Sequence, residues 1–151
     1  LRGIYTLIIN VREDFKKKIG SLSVLEFKKG IYIYTGSGVG FSISIENRLK
    51  RHLRKGRRKF WHIDYLLSGK AVALAAVASK SKKVGECLIN NLIAQCFNGE
   101  FLKGFGSSDC NCKAHLIKIN GEDLDKVIER LEWIYKQAKL NPFRLIFKTI
   151  K

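Results

Sequence analysis

The sequence predicts an α/β domain in which a small, mostly antiparallel central sheet carries helices on its faces. Three observations point there. Two β-branched, tyrosine-bearing strand patterns lie early in the chain, helical and strand periodicities alternate after them, and one long amphipathic helix comes near the end. With 151 residues and 46% apolar composition, the chain has the size of one domain, residues 1–151, with its own core.

Residues 4–9, IYTLII, are β-branched and aromatic, as a strand is. Residues 12–29 are charged with little periodicity and read as a long excursion, either a connection or an edge hairpin. Residues 31–35 form a second strand able to pair with the first as an antiparallel ribbon. Gly36-Ser37-Gly38-Val39-Gly40 then ends that strand in a turn where the backbone approaches a ligand closely. The next helix starts at Ser42 or Ser44, buries Ile45, Leu49 and Leu53, and runs to Lys55 before Gly56 stops it.

Residues 60–67 read as a short helix, and 71–78 as a small-residue strand suited to the middle of a sheet. Residues 84–96 are a helix with apolar side chains on nearly every side, which predicts deep burial. A glycine- and serine-rich loop precedes a strand at 115–119. The closing helix, 121–140, places Leu124, Val127, Ile128, Leu131, Tyr135 and Ala138 on the 3.6-residue period, with Glu122, Asp123 and Asp125 in its first turn. Pro142 follows it, and residues 145–150 offer a final strand or a docking tail.

Charge narrows the function. The chain holds 29 Lys and Arg against 13 Asp and Glu, a net +16, and 22 of the basic groups fall in the first 120 residues. Such a field attracts polyanions, of which nucleic acid is the commonest. Residues 44–60 carry eight Lys or Arg and one acid, Glu46. On a helix there, Arg48 and His52 fall beside the apolar stripe, one turn apart, whereas Lys50 and Arg54 point to solvent and steer phosphate. No stretch reaches the length of a spanning helix and no secretory leader is evident, so the expectation is a soluble, cytoplasmic protein without membrane contact. Four cysteines without a regular framework suggest a reducing compartment and no disulfides.

Each of these features has a plain structural reading too. The basic run fits a solvated face, and strand tyrosines fit an amphipathic core. Glu86, in the first turn of its helix but on a largely apolar face, is either a macrodipole-favoured acid or a carboxylate that needs a cation. Cys87, Cys110, Cys112 and His115 suit zinc by ligand type. Yet Cys-x-Cys spacing is tighter than in most zinc sites, and free cysteines commonly pack as small apolar groups.

Taken in order, Gly3-Ile4-Tyr5, Tyr34-Thr35-Gly36, Arg48, His52 and Glu86 resemble the GIY-YIG nuclease superfamily. Gly30 to Ser37, Arg51-His52-Leu53, Trp61 to Leu67, Glu86-Cys87 and Gly104 to Cys110, with Cys112 and His115-Leu116, are closest to its prokaryotic Uri-type endonuclease branch, long classed as a domain of unknown function. The excursion between the half-motifs is longer than in most of the superfamily, and Gly30-Ile31-Tyr32 mimics the first half-motif but leaves no room for a turn. Asn98 is a candidate for the superfamily's later asparagine.

The resemblance implies a GIY-YIG-type sheet and a DNA endonuclease that uses Mg2+ or Mn2+, held by Glu86. It implies Tyr5 as general base or water-orienting group, Tyr34 on the phosphate or nucleophile network, Arg48 on the scissile phosphate and His52 as proton relay or as the group that orients Tyr5. Nucleic-acid contacts are expected from Ser37, Lys50, Arg51, Arg54, Lys55, Arg57 and Arg58. The same residues also admit a non-catalytic DNA- or RNA-binding module, or a zinc-stabilised interaction module associated with DNA repair.

Overall fold

The computed structural model describes residues 2–20, 23–39, 62–67, 70–81, 85–102, 105, 114–120 and 123–147. Its organising strand is β1 (Arg2–Val11), whose run of β-branched and aromatic residues suits a position buried on both faces. It pairs antiparallel with β4 (Gly30–Val39) on one side and with β5 (Ala71–Ser81) on the other. β6 (Glu100–Phe101), β7 (Leu116–Ile119) and β8 (Phe143–Ile146) extend this to a six-stranded sheet in the order β6-β7-β4-β1-β5-β8. Every described pairing in it is antiparallel.

The excursion at 12–29 is a hairpin of β2 (Phe15–Lys18) and β3 (Val24–Phe27), a separate two-stranded sheet. It is seated by aromatic packing of Phe15 on Phe27 and of Phe27 on Tyr32 and Phe105. The hairpin, Phe105 and the short helix α1 (His62–Leu67), through Ile63 and Leu66, cover the face that carries Tyr5, Leu7, Tyr32 and Tyr34.

Helices α2 (Glu86–Phe97) and α3 (Leu124–Gln137) cover the opposite face, against Ile4, Ile8, Ile33, Val77 and Ile117. The first turn of α3 is fixed by Asp123, whose carboxylate accepts from the Asp125 N–H at 3.0 Å. A polar contact pins α3 to the sheet: the buried Tyr135 hydroxyl donates to Val77 O at 3.2 Å and lies 2.7 Å from Thr6 Oγ1, which is 3.2 Å from Thr35 Oγ1. α2 begins at Gly85 without a side-chain cap and ends at Asn98, whose left-handed conformation (φ 49°, ψ 46°) lets Gly99 N–H reach Ala94 O at 3.0 Å. Asn98 is thus the C-cap of α2.

Several expectations change. Gly36 to Val39 form no turn: they continue β4, opposite Tyr5, Ile4, Gly3 and Arg2, because β1 offers a partner for each. α2 is buried along one stripe only, Ile89, Asn90 and Ile93, since it lies on one sheet face; Leu88 is 49% exposed. The last strand ends at Ile146, and residues 148–150 lie outside the described residues. So does the basic helix expected at 44–55. No described helix is long and apolar enough to cross a membrane.

Candidate active site

The two half-motif tyrosines meet because of the β1/β4 register. Tyr5 stands opposite Gly36 and Tyr34 opposite Leu7, which makes the two phenols diagonal neighbours on one sheet face. Their ring centroids are 6.3 Å apart, with planes inclined by 47°. A Cβ on Gly36 would lie 2.7 Å from Cζ and Oη of Tyr5, so the phenol crosses backbone that must stay bare. Tyr5 is only 1% exposed and Tyr34 7%.

Tyr32, on the same face, has another task. Its hydroxyl donates to Lys28 O at 2.7 Å, tying the hairpin to β4, and burial pushes its phenol up to about 12.

From Tyr34 the contacts run toward the start of α2. Its ring lies 6.1 Å from Phe105 and 6.5 Å from the His115 imidazole. His115 is 4% exposed, with its N–H on Phe105 O at 2.7 Å and its carbonyl accepting from Thr35 N–H at 3.1 Å. Its Nε2 is 3.8 Å from Cys87 Sγ. Glu86 is the residue before Cys87, half-buried in the first turn of α2, where the unsatisfied N–H groups favour negative charge. It forms no ion pair among the described residues. The fold therefore joins Tyr5, Tyr34 and the segment carrying Glu86 by a continuous run of neighbours.

Glu86 fits a hard divalent cation, which accepts a single carboxylate and keeps its remaining waters. Among the described residues, no three His, Cys, Asp or Glu side chains gather as a ready-made ligand set. Ser37 is half-buried in β4, opposite Ile4. Arg48, Lys50, Arg51, His52, Arg54, Lys55, Arg57, Arg58, Cys110 and Cys112 lie outside the described residues. A separate cleft of about 730 Å3, lined by Phe97, Arg130 and Trp133 among others, belongs to the α2/α3 side and not to the tyrosine face.

Two features were not anticipated. Cys87 is disulfide-bonded, against the expectation of no disulfides; cysteine spacing in the chain does not by itself show which thiols the fold brings together. Asn90, one turn after Glu86, is fully buried: its Nδ2 donates to Ala114 O, while its Oδ1 has no hydrogen-bond partner among the described residues. The only sequence signal was an asparagine on the apolar row of α2.

A family model described as a domain of unknown function, DUF123, matches residues 4–137. Neither a curated protein nor a solved structure matches the chain.

Proposed function

Since the chain belongs to the DUF123 family, whose description names no activity, we propose from its residues that it is a divalent-metal-dependent endonuclease that hydrolyses DNA phosphodiester bonds. Recognition is of backbone or DNA shape, in keeping with the +16 charge. The observation that carries this reading is the pairing of Tyr5 with Tyr34, 6.3 Å apart over a glycine that leaves room for the phenol.

In-line attack of water on a phosphodiester builds negative charge on the nonbridging oxygens and on the departing oxygen. Tyr5 Oη orients the attacking water or, as the phenolate, takes its proton, and the Tyr34 hydroxyl holds the phosphate. Arg48 presents its planar fork to the nonbridging oxygens, and His52 relays the proton. Glu86 would hold Mg2+ or Mn2+, which supplies Lewis-acid polarisation and stabilises the leaving oxygen.

One observation favours a second reading. Tyr5 is 1% exposed, which suits a nucleic-acid-binding module, for DNA or RNA, whose tyrosines only pack. A labelled panel of branched and single-stranded DNA, incubated with and without Mg2+, separates the two. The nuclease reading expects metal-dependent cutting that Glu86→Ala and Tyr5→Phe abolish while DNA binding survives; binding without cutting in the unaltered protein leaves the second.

A further inference from the structure

The tyrosine face holds a cation that the proposed mechanism does not use. On β5, Ala76 and Ala78 belong to the core of that face, opposite Leu7 and Tyr5 of β1. Side chains two apart on a strand share a face, and the β1/β5 register shifts only between Ile8 and Ile9, away from this end. Lys80 therefore stands on the tyrosine face, opposite Gly3 and diagonal to Tyr5, and it is exposed. Diagonal neighbours across antiparallel strands lie roughly 7–8 Å apart, within reach of a long side chain.

The positions around it are bare. Gly3 has Lys80 on one side and Gly38 on the other, so across the three central strands this row carries a single side chain. The next row is Gly36, Tyr5 and Ala78, in which the phenol is the polar group. The residues flanking the diagonal from Lys80 to Tyr5 are Gly3 and Ala78, and neither is large enough to bar it.

Other described lysines are placed differently. Lys16 and Lys28 pair with Glu26, Lys28 also with Asp14, and Lys70 with Glu13. Lys118 shares the tyrosine face but stands at its far end, opposite Tyr32, with Glu100 as its register partner on β6. Its Cε and Nζ lie 3.4 Å from the place of a Cβ on Gly30. Lys80 is the described lysine at the Tyr5 end.

We propose that Lys80 binds a DNA backbone phosphate beside Tyr5. Its ammonium is a compact point charge on a flexible stem, suited to phosphate oxygens whatever the base sequence. Such a contact adds affinity and sets the position of the backbone against the tyrosine pair, while reading no base. The inference rests on the nuclease reading for its choice of polyanion, but its test measures binding without cleavage.

The test is fluorescence anisotropy of labelled DNA duplexes titrated with the full chain, in chelator and without Mg2+, over a range of salt. Losing one phosphate contact lowers the magnitude of the slope of log Kobs against log salt by about 0.9. Lys80→Gln is expected to show that loss, with binding weakened equally for duplexes of unrelated sequence, and Lys80→Arg to keep the original slope. Lys136→Gln, which removes an exposed charge from the last turn of α3 on the opposite face, is expected to keep it as well. Lys80 is exposed next to the end of β5, so the fold tolerates both of its variants. A Lys80→Gln slope equal to that of the unaltered protein overturns the proposal, as does a loss no greater than that in Lys136→Gln. An unaltered protein that binds no DNA overturns it together with the nuclease reading. The expected slopes without cutting once Mg2+ is added support the Lys80 contact and remove the nuclease reading alone.

Discussion

The phenol of Tyr5 lies across Gly36, its register partner on the neighbouring strand, where an added Cβ would come within 2.7 Å of Cζ and Oη. One strand supplies the ring and the other leaves out a side chain. The second half-motif therefore contributes space as well as the Tyr34 ring, which lies beside the first.

Gly36→Ala should force the Tyr5 ring from its place in a packed core and destabilise the protein by about 1–3 kcal/mol. Urea unfolding measures this directly. In a Tyr5→Ala background the same substitution should cost far less, because the clash is gone. Equal costs in both backgrounds would show that the ring is not what excludes a side chain.

Tyr135→Phe removes the hydroxyl shared by Val77 O and Thr6 Oγ1 and leaves a buried carbonyl without this donor. A loss of about 1–3 kcal/mol is expected, with an unchanged denaturant slope. Thr35→Val should cost less, since Thr6 then keeps Tyr135.

Alkaline pH should unfold the protein in a defined window. Tyr32 titrates at about 12 in the fold, above its ordinary 10.0, because burial disfavours the phenolate. Its contribution to stability is complete below pH 10 and is lost as pH rises through about 12, where the unfolded chain has already released its proton. Burial shifts Tyr135 in the same direction. The urea midpoint should fall across this range, and Tyr32→Phe should flatten the fall; an identical pH profile in the variant would contradict it.

Glu86→Gln separates function from folding. The side chain is half-buried in a first helical turn, so losing its charge should change stability by no more than about 1 kcal/mol. On the proposed nuclease reading, metal-dependent DNA cleavage should disappear. Cleavage that persists at the original rate would remove Glu86 from the proposed metal site.

Local side-chain physics made the main elements readable from the residues alone. The β-branched runs at 4–9 and 31–35 lie within β1 and β4, and the 3.6-residue stripe with acids in its first turn lies in α3, capped by Asp123. These patterns depend on sterics and hydrogen bonds within a few residues, which any chain segment carries with it. The pairing of Tyr5 and Tyr34 was legible only as a motif order.

What remained hidden depends on distant partners. Glycines at 36 and 38 signal a turn locally, yet they extend β4, because β1 pairs with them and Tyr5 occupies the room that Gly36 leaves. The approach of Cys87 to His115 and the clamp of Asn90 on Ala114 join α2 to a segment far along the chain. Periodicity says which face of a helix is apolar; only packing against the rest of the chain selects which thiol meets which imidazole, since that contact energy exists solely between elements already folded together.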